Sequence, residues 1–230
     1  MVIAMDHTIS AVRIWDLPTR LFHFTLGLSV VGLIITGEVG GDAMRIHFWL
    51  GYVVLTLVLF RVVWGVFGGH WSRFVNFLPT PQVVRNYVVA LRRKEQPMSI
   101  SHNPLGALSV LAMLTFLLLQ VASGLISDDE ISISGPLTNL APGAWVSIAT
   151  NYHAEIGKVV LILLLVLHVA SVLFYKFFKN ENLITPMIHG DKQLPSATHP
   201  SRDTMTSRAF ALGVLVACAY AVYRIVQLGG

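Results

Sequence analysis

The chain has 230 residues, of which 54% are hydrophobic and 12% charged. A soluble domain carries about twice that share of charge, so composition excludes an ordinary water-soluble globule, and the length suits one membrane domain because each span uses about 20 residues plus a connection. The formal charge of +4 does not imply nucleic acid, since basic residues in membrane proteins act first as orientation signals, and the single cysteine, Cys218, excludes an internal disulfide, a thiolate cluster and a thioether-linked cofactor.

The opening residues carry Asp6, Arg13, Asp16 and Arg20, and no small-residue cleavage site follows the first apolar run, so that run is expected to stay in the mature protein. It covers 21–37, with Asp16 and Pro18 suited to the first turn of a helix. Gly40 and Gly41 separate it from a second run over 46–67. Gly68 and Gly69 then open a long connection in which 81–94 reads as a short interfacial helix. A third run covers 105–126, a fourth 154–178, after Pro142 and Gly143, and a fifth 209–228, after a polar, proline-containing linker over 192–206. Each run is near the length a hydrocarbon core of about 30 Å demands. The expected fold is an all-α integral membrane helical bundle: a four-helix core over 1–195, then a linker and a fifth carboxyl-terminal transmembrane helix over 196–230. Ala217, Ala219 and Ala221 offer that fifth helix a slim packing face. Trp15, Trp49, Trp64 and Trp71 fit an interfacial aromatic belt.

Lysine and arginine fall on alternate connections. Arg13 and Arg20 precede the first span; Arg73, Arg85, Arg92, Arg93 and Lys94 follow the second; Lys176, Lys179, Lys192, Arg202 and Arg208 follow the fourth. The opposite connections carry Glu38, Asp42 and Arg45, then Asp128, Asp129 and Glu130. The amino terminus is therefore expected inside and the carboxyl terminus outside.

His23, His47, His153 and His168 fall within or at the ends of spans, where ionisable groups are costly and mark function. With the first helix running outward, His23 lies near the inner surface; the second and fourth run inward, so His47 and His153 start at the outer surface. His168 then lies about 22 Å deeper than His153, at about 1.5 Å per residue. The imidazoles sort into an outer layer, His47 with His153, and an inner layer, His23 with His168. Two facing imidazoles suit a six-coordinate haem iron and leave it no open position, which favours electron transfer over oxygen binding. Gly27, Gly51 and Gly157 each stand four residues after one of these histidines, on the same helix face, leaving room for a flat macrocycle. A lone intramembrane histidine is commonly a satisfied core residue, a reading that two matched layers make hard to sustain. Zinc would need its ligands clustered in one tetrahedron.

Arg61, about 21 Å along its helix from His47, is a candidate partner for an inner haem propionate, against the alternative of snorkelling to the surface. Arg45 and Lys158 are weaker candidates at the outer layer. His102, just before Pro104, suits a loop contact or a quinone site. His7, His70, His189 and His199 fall in polar segments and are expected to be solvated.

The runs RIWDLPTRLFHF from Arg13, HFWLGY from His47, FRVVWGVFG from Phe60, HNPLGALSVL from His102, YHAEIGK from Tyr152 and NLITPMIHGDK from Asn182 resemble the bacterial cytochrome b561 family, which includes the b-type cytochrome subunits of nickel-iron hydrogenases. The resemblance spans Val12 to Pro195. It implies two haem b groups held by one histidine on the first helix, one on the second and two on the fourth, matching His23, His47, His153 and His168. It also implies a place in the bacterial inner membrane and electron exchange between quinone and a periplasmic redox partner, either a hydrogenase, another respiratory enzyme or a c-type cytochrome. The acidic outer loop, Asp128 to Glu130, suits a basic cytochrome. Some relatives instead oxidise superoxide at the outer surface, which would want a positive patch there. A histidine-based proton or metal transporter would be colourless. No residue is expected to be catalytic in the covalent or acid–base sense.

Overall fold

The structure, a computed structural model, describes residues 9–95, 99–129 and 133–229. Asp6, His7 and Glu130, named above, lie outside the described residues. Strand β1 (Ile9–Arg13) leads into α1 (Leu17–Val39) and α2 (Met44–Phe67), then a single turn α3 (Phe74–Phe77), α4 (Pro81–Arg92) and α5 (Pro104–Leu125). α6 (Gly143–Asn151) passes through a π-helical turn (Tyr152–Gly157) into α7 (Lys158–Phe178), and a further turn α8 (Ile184–His189) leads to β2 (Asp191–Pro195) and α9 (Met205–Val226). Five helices are long and apolar enough to cross a membrane. The protein is thus an all-α membrane bundle carrying one small two-stranded ribbon. The short helix expected after the second span is α4, started by Pro81 and by Thr80, whose hydroxyl accepts the Val83 N–H at 3.4 Å.

Two features depart from the expectation. The fourth span begins at Gly143 rather than at 154, in a helical stretch of 36 residues. Ser147, Thr150 and Asn151 break the apolar run there without breaking the helix, and Thr150 satisfies its hydroxyl on the Val146 carbonyl at 2.9 Å. His153 therefore lies well inside this helical stretch, in the π turn. The start of the expected linker is β2, antiparallel to β1 in the register Ile9↔Pro195 to Arg13↔Asp191.

The chain divides into two compact units. The first comprises residues through Leu21, Val63–Leu108 and Ser171–Ala211. Its apolar nucleus is Val12, Ile14, Trp15 and Leu194, and the Ile14 and Trp15 N–H groups donate to the Gly190 carbonyl at 2.8 and 3.0 Å. Gly190 has φ of 95°, and a Cβ there would stand 2.7 Å from the Trp15 carbonyl oxygen, so only glycine fits. Asp16 is wholly buried and accepts from the Thr19 and Gly69 N–H groups, the Trp64 indole and the Ser72 hydroxyl, at 2.7–3.2 Å. It caps α1 and ties that helix start to the end of α2. Arg13 bridges Asp191 and Asp203, and Asp203 also holds Arg208.

The belt assignment needs correction: Trp15 and Trp64 are core residues, 6% and 1% exposed. The Trp71 indole donates to the His199 carbonyl at 2.8 Å. Trp49, 64% exposed, keeps the exposure a belt residue needs. His70 and His199 do not stand apart in solvent either, since their rings stack with centres 4.7 Å apart. Burial first, then the neighbouring His199 and Arg73, holds the His70 pKa below its ordinary value.

The second unit comprises Phe22–Val62, Ser109–Ala170 and the chain from Leu212. Val54, Leu55, Val58, Leu117, Val121 and Val222 form its core, with Leu26, Val30 and Leu33 of α1, Leu161 of α7 and Val226 of α9 against them. All five spanning helices contribute, and in lipid such contacts hold by close packing rather than by release of water. α9 is therefore part of the core. Its buried residues are Ser207, Ala211, Cys218 and Val222, whereas Ala217, Ala219 and Ala221 are exposed. A two-residue repeat does not make a helix face.

Candidate histidine site

All four span histidines lie in the second unit and are half-buried. The structure brings His47 to His153, with ring centres 6.1 Å apart and planes at 83°. It brings His23 to His168, also at 6.1 Å, with planes at 52°. Two imidazoles on opposite sides of one metal, through bonds of about 2 Å, have ring centres roughly 6 Å apart, so each pair has the separation that holding one iron between them needs.

The hydrogen bonds set the ring state of two of them. His47 Nδ1 lies 3.1 Å from the Leu33 carbonyl and His153 Nδ1 lies 2.8 Å from the Gln120 carbonyl. A carbonyl can only accept, so Nδ1 carries the proton and Nε2 keeps its lone pair for a metal. Nδ1 of His23 is buried with no hydrogen-bond partner among the described residues.

Space beside the rings differs among the glycines. A Cβ on Gly27 or Gly51 would meet nothing within 4 Å, the open volume a flat ring system requires. Gly157 offers no such room, because a Cβ there would run into the Gln120 amide oxygen and stand 2.9 Å from the Tyr152 ring. Its missing side chain instead lets α5 approach the π turn. Arg61 is 3% exposed, too deeply covered to be snorkelling. Arg45 is exposed, and Lys158 pairs with Glu38 at 2.9 Å. With both side chains well exposed, that pair is worth under about 1 kcal/mol, and it offsets the lysine charge. Asp128, Asp129 and Glu155 line an open hollow of about 720 Å³ that reaches Ala154, next to His153. In the first unit, His102 packs between Trp15 and Phe77, with ring centres at 4.8 and 4.7 Å. Among the described residues no group of three or more His, Cys, Asp or Glu side chains gathers as a metal cage would require.

Thr36 and Gly37 of α1 and Gln120, Ser123 and Gly124 of α5 also touch the His47 and His153 rings, and sequence reasoning missed them. The one available signal was a hydroxyl residue followed by glycine in both the first and third spans.

Known proteins bear on this site. The chain is 22% identical to a probable Ni/Fe-hydrogenase B-type cytochrome subunit of Bradyrhizobium diazoefficiens, over 79% of this chain and 86% of that protein. It is 25% identical to the protein of the same description in Azotobacter chroococcum, over 79% and 88%. With that of Azotobacter vinelandii it shares 31% identity over 44% and 52%. No solved structure matches the chain. The profile described as prokaryotic cytochrome b561 matches residues 14–190, most of the chain, so this protein belongs to the prokaryotic cytochrome b561 family, multi-pass membrane proteins that transfer electrons by b-type haem.

Proposed function

We propose that the chain binds two b haems, one between His47 and His153 and one between His23 and His168, and carries electrons across the bacterial inner membrane between quinone and a redox protein at the outer face. The observation that carries the reading is the two imidazole pairs at equal 6.1 Å separation, set about 22 Å apart along the fourth span by the spacing of His153 and His168. Bound haem would supply a reversible one-electron iron couple, held between the two imidazoles of each pair.

The chain's own residues do the rest. His47 and His153 present Nε2 because a carbonyl holds Nδ1; Gly27 and Gly51 leave space for the ring edge; Arg61, buried in α2, offers its guanidinium to an inner propionate. Orientation rests on the basic residues, all of which except Arg45, Arg61, Lys158 and Arg224 belong to the first unit, where an inner location of its connections puts the amino terminus inside and the carboxyl terminus outside. The relatives' descriptions favour a hydrogenase as the outer partner, while the acidic hollow that reaches Ala154 suits a basic cytochrome. Superoxide:quinone oxidoreduction is disfavoured: Lys158 is paired with Glu38, and Asp128, Asp129 and Glu155 would repel an anion.

The test is haem analysis of the purified protein with reduction by a quinol. Two non-covalent b haems per chain, reduced by quinol, support the reading; one haem, or a colourless protein, contradicts it.

A further inference from the structure

We infer that His47 and His153 are each set by a matching cradle on a neighbouring helix, built from a backbone carbonyl, a hydroxyl three residues on and a glycine four residues on. For His47 the cradle is Leu33, Thr36 and Gly37 of α1; for His153 it is Gln120, Ser123 and Gly124 of α5. This deepens the proposed ligation and rests on it.

The two cradles agree atom by atom. Each carbonyl accepts from Nδ1, at 3.1 Å from Leu33 and 2.8 Å from Gln120. Each hydroxyl oxygen stands 3.3 Å from the same Nδ1 and turns its own proton onto the helix backbone, Thr36 to the Gly32 and Leu33 carbonyls at 2.7 and 3.3 Å, Ser123 to the Gln120 carbonyl at 2.9 Å. Each glycine admits the ring: a Cβ would lie 3.3 Å from Cε1 of His47 at Gly37 and 2.7 Å from Cε1 of His153 at Gly124. Gln120 acts twice, since its amide also donates to the His153 carbonyl at 2.8 Å, within the π turn where the helix ladder is disturbed.

α5 supplies no ligand, yet its Gln120, Ser123 and Gly124 are positioning residues for one. A carbonyl holding Nδ1–H makes the imidazole a stronger donor at Nε2, which favours ferric iron and lowers its potential. His23 has no such carbonyl among the described residues, so the two haems differ by construction.

The experiment is a redox titration of the purified holoprotein, with low-temperature electron paramagnetic resonance of its ferric state. In Gly124→Ala the ring is pushed off its carbonyl, so one of the two titration waves moves to higher potential and one low-spin signal changes, while the other wave and signal stay. Ser123→Ala perturbs the same wave less and Ser123→Thr restores it; Gly213→Ala in α9, with open space around it, leaves both. Two unmoved waves in Gly124→Ala and Ser123→Ala, or two that move together, would overturn the cradles while leaving ligation standing. Retention of both haems by His153→Ala would instead overturn the ligation, and the cradles with it.

Discussion

Two buried polar sites, one in each compact unit, are satisfied in opposite ways. In the first, Asp16 is wholly buried and takes four donors at once, from Thr19, Trp64, Gly69 and Ser72, and Arg13, Asp191, Asp203 and Arg208 close on one another. In the second, His47 and His153 have one ring nitrogen tied and the other left with its lone pair, and beside His47 a Cβ on Gly51 would meet nothing within 4 Å. Polar groups satisfied by the protein itself hold architecture together, whereas polar groups half satisfied await something from outside.

The contrast is broken most severely at the ligands. His47→Ala and His153→Ala should each remove one haem, and His23→Ala and His168→Ala the other, read from the haem-to-protein ratio and from which titration wave disappears. Filling the open space comes next. Gly51→Leu should weaken retention of the haem beside His47 by about tenfold or more, the cost of placing a bulky side chain where the ring would lie, measured as haem loss to a scavenging apoprotein; unchanged retention would show that the space is not used. In the first unit, Asp16→Ala removes the acceptor shared by the Thr19 and Gly69 N–H groups, the Trp64 indole and the Ser72 hydroxyl. It should cost about 3 kcal/mol of stability, seen as a lower unfolding midpoint in detergent, with both haems still bound in the folded fraction. The smallest effect is on His70. Its pKa in the fold is depressed, so the unfolded chain binds the proton more readily. The contribution is complete above the ordinary value of about 6.5 and is lost as pH falls through the lower folded value. Solvent screening keeps it under about 1 kcal/mol, and a pH series of unfolding midpoints should lose this slope in His70→Gln.

Spans and ligand candidates were legible in the sequence because a membrane leaves so little choice. Long apolar runs must be helices, and histidines inside them stand out against their cost. The positions of α1, α2, α5, α7 and α9 follow from that rule alone. What stayed hidden depends on partners distant along the chain. Asp16 reads as a helix cap, but nothing near it in sequence announces Trp64 or Ser72. β1 pairs with a segment that composition marks as a linker. Gly157 has the right offset from His153, yet its neighbour is Gln120, which is set by how α5 packs rather than by any local pattern. The early start of the fourth span was hidden by Ser147, Thr150 and Asn151, of which Thr150 turns its hydroxyl back onto the helix backbone.

The most direct measurement compares two double variants of the purified protein by haem content. His47→Ala with His153→Ala empties a single level and should leave one haem per chain; His47→Ala with His168→Ala breaks both levels and should leave none. Equal haem content in the two variants would contradict the pairing of histidines by depth.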